Sequence, residues 1–170
     1  TYPGAISYVT DIESKLYKFD FTEEWKNFGG MELIFDGEGN NVNQRASFNA
    51  VTPSIDSNDK LWVYFGTGNL DKLQLSQATI QNRIFGVEDS RFPDVDQGGG
   101  VSLGSPTMKN VTGAGATCPS ESDKGWYLNL GQDEKVVGKI ALDKQILYAP
   151  VYKPDITQPC FPGTSTLYQM

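Results

Sequence analysis

Apolar and polar residues alternate in short runs along most of the chain, which is the period of a half-buried β-strand. Residues 5–9 and 15–19 alternate in this way on either side of a polar stretch, so they predict a hairpin. Similar runs predict further strands at residues 31–35, 46–51, 61–65, 83–87, 126–130, 135–140, 146–152 and 165–170. The pattern therefore predicts an all-β fold.

Helical periodicity is weak by comparison. Thr22 is placed to cap one turn over residues 22–27, and residues 69–80 fit a short helix. Residues 94–116 hold two glycine clusters and few large apolar side chains. Because strand-like sequence resumes on both sides, this segment predicts a long surface loop, and residues 1–170 are predicted to be part of a single domain.

A weak internal repeat orders the predicted strands. Each copy joins an aromatic strand to a second strand that begins with an aliphatic and then an aromatic residue. The copies are residues 8–9 with 16–20, 63–66 with 84–88, and 147–149 with 167–170, and a further strand precedes the later two at 51–56 and 137–143. This order is typical of β-propeller blades. A β-sandwich is the alternative, but it gives no reason for the second strand to repeat its pattern.

The length of the chain sets how many blades it can hold. At about 40 to 45 residues per blade, 170 residues make about four blades, which is the lower limit of a closed ring. The third copy stops before its acidic position. We therefore expect an incomplete segment of a larger, quinoprotein-like ring, which another segment or chain completes. Because the sequence starts at Thr1 without a signal sequence, we also expect a processed product or an excised piece.

Composition excludes several classes of function. The chain has no histidine, which removes His-dependent catalysis and His-ligated metals. Its net charge of −7 argues against a nucleic-acid partner, and no apolar run is long enough for membrane insertion. The 21 acidic residues are scattered over turns and single out no catalytic pair. These features predict a protein that is not an enzyme.

Five motifs follow one another along the chain, at residues 8–20, 63–68, 84–89, 125–137 and 159–167. In this order they resemble motifs of the C-terminal β-propeller of PilY/PilC-type proteins, the type IV pilus tip-associated assembly factors and adhesins. Asn69 departs from the family's Arg, and Pro162 departs from its small residue. Many members carry an Asp-rich calcium loop just before the first hairpin; here that place is either held by residues 1–4 or lies upstream of Thr1, so the family's calcium dependence does not carry over.

The resemblance implies a non-catalytic cell-surface module that acts in pilus assembly and surface attachment. It implies export through the periplasm to an extracellular position at the pilus tip or outer membrane, minor pilins or other tip components as partners, and a surface or glycan ligand. Residues 94–116 are then the first candidate for a recognition loop. Two alternatives are a quinoprotein-like enzyme propeller, although the chain lacks a tryptophan docking motif, and a generic polysaccharide-binding scaffold.

Two groups of residues carry site predictions. Cys118 and Cys160 are either free thiols of a cytosolic protein or a disulfide of a secreted one, and the resemblance to a surface protein favours the disulfide, worth about 4 kcal/mol. Asp89, Asp94 and Asp96 form an oxygen-rich cluster that makes calcium a candidate cofactor. Gly66-Thr67-Gly68 lacks the Lys of a phosphate loop and is interpreted as a place where strands crowd together.

Overall fold

The computed structural model describes residues 4–21, 28–38, 45–77, 79–94, 100–158 and 160–170. The described residues form a single-turn 3-10 helix, Leu70–Lys72, and thirteen strands: β1 (Ala5–Thr10), β2 (Lys15–Phe21), β3 (Phe28–Asp36), β4 (Thr52–Ile55), β5 (Leu61–Gly66), β6 (Arg83–Asp89), β7 (Val101–Ser102), β8 (Met108–Asn110), β9 (Gly125–Asn129), β10 (Lys135–Val136), β11 (Ala141–Asp143), β12 (Ile146–Lys153) and β13 (Thr164–Gln169). The prediction of an all-β fold is confirmed.

The strands of the described residues make three sheets. The first sheet has the order β1-β2-β3-β7, and the second has the order β4-β5-β6-β9-β8. In the third, β12 lies between β13 on one side and β10 followed by β11 on the other. The length predicted about four blades, but the described residues form three sheets. The difference arises because the second sheet uses five strands and a long connection between β6 and β9.

The predicted repeat is confirmed as a repeat of strand pairing. The two strands of each copy are antiparallel neighbours: β1 with β2, β5 with β6, and β12 with β13. The two preceding strands also take the same place, since β4 pairs with β5 and β11 pairs with β12. Each copy thus supplies two neighbouring strands of one sheet.

The second sheet is covered on both faces. Toward the first sheet, Val63, Phe65 and Phe85 pack with Leu16 and Phe35. Toward the third sheet, Ile84 packs with Val136, Leu147 and other aliphatic side chains. Three sheets in face-to-face succession differ from a β-sandwich, which has two.

The repeat also fixes which face each side chain uses. Leu16 and Ile84 occupy the same repeat position, and each is fully buried against the sheet that follows its own. Leu167 holds this position in the third sheet and is 56% exposed. The outer face of the first sheet likewise exposes Met31 and Leu33. The two terminal sheets therefore present apolar outer faces at positions that the middle sheet buries.

Several predicted elements differ in the structure. Residues 46–51 are not a strand, and β4 starts only at Thr52. Predicted strand 135–140 ends after Val136, since Pro150 on β12 has no N–H to continue the ladder and the chain resumes pairing at Ala141. The helix predicted over 69–80 is one 3-10 turn capped by Asn69. The turn predicted over 22–27 lies outside the described residues.

The segment predicted as a long loop, residues 94–116, contributes two short strands. β7 adds to the first sheet as a parallel neighbour of β3, and β8 adds to the second sheet as a parallel neighbour of β9. After β6 of the second sheet, the chain joins the first sheet as β7 and returns to the second sheet as β8, before β9. This segment therefore connects the first two sheets by adding a strand to each.

The Gly-Thr-Gly motif lies where the second and third sheets meet. A Cβ atom at Gly66 would overlap the side chain of Val136, and one at Gly68 would lie 2.7 Å from the Cβ of Lys135. The N–H of Val136 donates to the carbonyl of Thr67 at 3.0 Å between the two sheets. The glycines thus permit the close approach of backbones that the sequence predicted for this motif.

Replacing Gly66 with Ala should lower the free energy of unfolding by about 1–3 kcal/mol, because the added methyl group overpacks the junction with Val136. Urea unfolding measures the change. Gly104→Ala is the matched control, since no atom lies within 4 Å of its Cβ position. The double variant Gly66→Ala/Val136→Ala should cost less than the sum of its parts. Strict additivity would contradict the proposed overlap.

Candidate functional site

A cleft of about 650 Å³ opens between the second and third sheets. Its volume falls within the range of small-molecule sites, about 300–1,000 Å³. One wall comes from β5 and β9, the other from β11, β12 and the chain end, and the rim comes from two connecting loops. The lining residues are Ser54, Ile55, Asp56, Ser57, Tyr64, Val111, Ala116, Thr117, Cys118, Pro119, Trp126, Leu128, Leu142, Gln145, Leu147 and Met170.

Two aromatic rings form the floor of the cleft on the second sheet. Gly86 and Trp126 are cross-strand partners, and the indole lies over Gly86, where a side chain would collide with it. The ring of Tyr64 lies 6.2 Å from that of Trp126, at an interplanar angle of 41°. Burial, and then the negative charge of Asp56, raises the pKa of Tyr64. The floor is a broad aromatic surface with a neutral hydroxyl.

The polar rim is built on the turn between β4 and β5. One Asp56 carboxylate oxygen accepts the N–H groups of Asn58 and Lys60 at 2.8 and 3.0 Å. The other accepts the indole N–H of Trp62 at 3.0 Å. Burial alone would raise the pKa of Asp56, but these hydrogen bonds hold it below its usual value. The carboxylate therefore shapes the turn between β4 and β5 through three hydrogen bonds.

The opposite rim contains the end of segment 94–116. Val111 and Ala116 line the cleft together with Cys118 and Pro119. The sequence singled out this segment as a recognition loop, and the structure places part of it at the cleft. The sequence analysis missed Tyr64 and Trp126 as site residues, because both lie in runs that are also typical of core strands. The pairing of Trp126 with Gly86 is what reveals the aromatic floor of the cleft.

The predicted disulfide between Cys118 and Cys160 is not formed in this structure, where both cysteines are exposed. Cys118 lies at the cleft near Leu147, close to the start of β12. Cys160 lies in the connection that leaves β12 at Lys153, its other end. Eight strand residues span about 25 Å, whereas a disulfide needs Cα atoms within about 7 Å.

The proposed calcium ligands lie in a different environment. Asp89 is buried, and its Oδ2 lies 2.7 Å from the buried ammonium of Lys18 and accepts the hydroxyl of Tyr8 at 2.7 Å. Asp94 is exposed, and its backbone carbonyl accepts a hydrogen bond from Lys18 at 2.6 Å. Asp96 lies outside the described residues. The ammonium group of Lys18 thus neutralises the charge of Asp89 and contacts the backbone of Asp94.

A second buried carboxylate lies next to Asp89 along β6. Glu88 binds Lys60 at 3.3 Å and Lys124 at 2.7 Å, so it ties the β5 and β9 sides of the second sheet together. Arg91, just after β6, pairs with Glu32 of the first sheet. Within the described ranges, no group of three acidic or cysteine residues is arranged to hold a metal ion. The end of β6 is therefore an electrostatic junction between strands and sheets.

Lys18→Met should lower the free energy of unfolding by about 3–5 kcal/mol, because it leaves Asp89 buried without its partner. Chemical denaturation measures the loss. Lys15→Met is the matched control: its ion pair with Glu13 is surface-exposed, so we expect no measurable change. Lys18→Met/Asp89→Asn should regain part of the stability. If the Lys18 variant is as mild as the Lys15 variant, the buried pair does not hold these sheets.

The raised pKa of Tyr8 predicts how the stability of the chain depends on alkaline pH. Burial, the hydrogen bond to Asp89 and the charge of Asp89 raise the pKa of Tyr8 far above its usual value near 10. Above pH 10 the unfolded chain therefore releases the Tyr8 proton while the folded chain keeps it, and stability falls as pH rises. Tyr8→Phe should make the fall between pH 10 and 12 less steep in urea unfolding. Identical slopes would contradict this role of Tyr8.

No helix in the described part of the chain is long and apolar enough to cross a membrane. No family model and no curated protein sequence matches the chain. A solved structure does match: the C-terminal domain of PilY1 from Pseudomonas aeruginosa, with a TM-score of 0.68 and 14% sequence identity. The match covers 96% of this chain and 43% of that structure, so the chain spans less than half of its length. The fold resemblance predicted from the sequence is confirmed, and it agrees with a propeller segment.

Proposed function

We propose that this chain is a non-catalytic cell-surface module of a type IV pilus tip-associated protein, and that it acts in pilus assembly and surface attachment. The observation that carries the proposal is the fold match to the PilY1 C-terminal domain over 96% of the chain. The order of the five sequence motifs supports the same assignment, because they run through all three sheets.

The cleft is proposed as the recognition site. Its aromatic floor offers Tyr64 and Trp126 for stacking against an apolar face, and its rim offers Ser57, Thr117 and Gln145 for hydrogen bonds. Aromatic floors with polar rims suit sugar rings, so a surface glycan is one ligand class for this site. Recognition of this kind needs no reactive group, in keeping with the structural role of Asp56.

The partners and the location of the chain follow as parts of the same proposal. Minor pilins or other tip components are the proposed partners, and the outer faces carrying Leu167 on one side and Met31 with Leu33 on the other are the proposed contacts with further sheets of a larger ring. The module would be exported through the periplasm to the cell surface. The exposure of apolar side chains on both terminal sheets supports such contacts.

Filling the cleft should reduce surface attachment without unfolding the chain. Ser57→Trp and Ala116→Trp add bulk at two exposed rim positions, and Thr79→Trp is the control at an exposed position that does not line the cleft. In the source bacterium, the intact protein carrying either rim variant should support attachment severalfold less than wild type. Pili are counted by electron microscopy, and adherent cells by microscopy.

The outcomes separate the parts of the proposal. Attachment equal to that of the control would overturn the cleft as recognition site. Loss of pili with the rim variants would assign the cleft to assembly instead of attachment. Protease treatment of intact cells should cleave the protein, and protection until lysis would contradict its surface location. Binding of the purified chain to a glycan array, lost in Ser57→Trp, would identify the ligand as a saccharide.

A further inference from the structure

Two arginine side chains lie between the first and second sheets. Arg45 is fully buried, and its Nη2 donates to the carbonyl of Gly37, just after β3, at 2.9 Å. Arg83 is the first residue of β6, and its Cζ lies 4.7 Å from the centre of the Tyr127 ring, on the face that the second sheet packs against the first. Its Nε donates to Oδ1 of Asn129 at 2.6 Å. The two guanidinium groups thus enter the space between these sheets from opposite sides.

The backbone holds both arginines beside the Gly-Thr-Gly motif. The N–H of Thr67 donates to the carbonyl of Arg83 at 2.9 Å. The N–H of the next residue, Gly68, donates at 2.8 Å to the carbonyl of Ala46, which follows Arg45. Adjacent residues of one segment therefore anchor the two segments that carry the arginines. The fold itself brings these two like charges together.

Three donor atoms of this arginine pair lack an acceptor. Within the part of the chain that the structure describes, nothing accepts a hydrogen bond from Nε or Nη1 of Arg45 or from Nη1 of Arg83, although all three atoms are buried. Buried donors of a charged group are costly when they are unpaired, and folded proteins pair nearly all of them. The three atoms therefore mark a place that suits the oxygen atoms of a ligand.

The local charge has the sign that attracts an anion. Burial, and then the positive charge of Arg45, lowers the pKa of Arg83 to about 10, so Arg83 stays charged at neutral pH. The carboxylate of Glu38, whose Oε1 accepts the N–H of Arg45 at 2.6 Å, offsets part of the charge of both guanidinium groups. Two cations and one carboxylate leave one positive charge in excess, which a single monoanion would neutralise.

The geometry favours a carboxylate as this anion. The edge of a guanidinium group matches the two oxygen atoms of a planar carboxylate, and the pair forms strong charge-assisted hydrogen bonds. Tyr127 covers one face of the Arg83 guanidinium and Asn129 accepts from its Nε, so Nη1 is left for a ligand. A dianion such as sulfate would leave an excess negative charge in a buried place. Because Arg83, Tyr127 and Asn129 are half-buried, a ligand would enter from the side of β6 and β9.

We propose that Arg45 and Arg83 form a binding site for a monoanionic carboxylate group between the first and second sheets. Nε and Nη1 of Arg45 and Nη1 of Arg83 donate to its oxygen atoms, and the ring of Tyr127 holds the Arg83 guanidinium in place. The ligand is a small organic acid or the acid group of a sugar, which share this chemistry. The cleft lies on the opposite face of the second sheet, so this site does not depend on the proposed recognition role of the cleft.

Arginine side-chain NMR tests the site directly in the unaltered chain. The sequence contains three arginines, so isotope-labelled protein gives three Nε–H signals, which Arg→Lys variants assign. Sodium acetate, titrated against sodium chloride at constant ionic strength, should shift the signals of Arg45 and Arg83 until they saturate. Arg91 is the internal control, because it lies beyond the other end of β6 and pairs with Glu32. Its signal should not move.

Two variants separate binding at the site from a general effect of charge. Arg83→Gln should weaken acetate binding at least about tenfold, because it removes a charge-assisted hydrogen bond. Lys139→Gln removes the same charge at an exposed position between β10 and β11, and should bind acetate like wild type. Urea unfolding is the second readout: acetate should raise the midpoint of wild type and Lys139→Gln above that in chloride, and leave Arg83→Gln unchanged. Circular dichroism checks that both variants fold.

Three results would overturn the proposal: equal shifts in chloride alone, an equal shift of the Arg91 signal, or unchanged acetate binding by Arg83→Gln. Tighter binding of sulfate than of acetate would contradict the assignment to a monoanion. Glucuronate in place of acetate distinguishes the two sources of the carboxylate. Tighter binding of glucuronate would assign the site to an acidic saccharide, and binding of acetate alone would assign it to a small organic acid.

Discussion

The structure depends on burying the second sheet on both faces. A sheet covered on two sides needs apolar residues at successive positions, and β5 and β6 supply them with Val63, Phe65, Ile84 and Phe85. It also needs places where neighbouring elements can approach, which Gly66 and Gly86 provide opposite Val136 and Trp126. The first and third sheets each use this middle sheet for their own cores, so its packing determines theirs.

Buried cations are the second constraint, although the protein is acidic. Lys18, Arg45 and Lys135 are fully buried. Lys135 donates to the backbone carbonyls of Lys72, Leu73 and Leu75 at 2.6 to 2.9 Å, and so fixes the irregular segment that follows the Gly-Thr-Gly motif. Burial lowers the pKa of Lys135, and these carbonyls satisfy its charged form. Positive side chains thus organise connections that have no ladder of their own.

Alternation of apolar residues was sufficient to predict most strands, since β-strand period and burial coincide at positions such as Leu16 and Ile84. The repeat further predicted which strands pair. The repeat could not predict the strand that breaks opposite Pro150 or the pairing of β7 with β3. Both depend on which strand a segment packs beside in the folded chain. The cleft was missed for the same reason: Trp126 is ordinary core sequence until Gly86 is known to lie beneath it. The disulfide rested on the number of cysteines and on the resemblance, and neither carries information on the distance between the two thiols.

The path of residues 94–116 has a mechanical consequence. A force that pulls the first sheet away from the second would tend to separate their packed faces. β7 belongs to the first sheet while β6 and β8, on either side of it in sequence, belong to the second. Separating the two sheets therefore requires breaking the β3–β7 pairing as well as the packing between them. The segment therefore distributes such a force over the first two sheets.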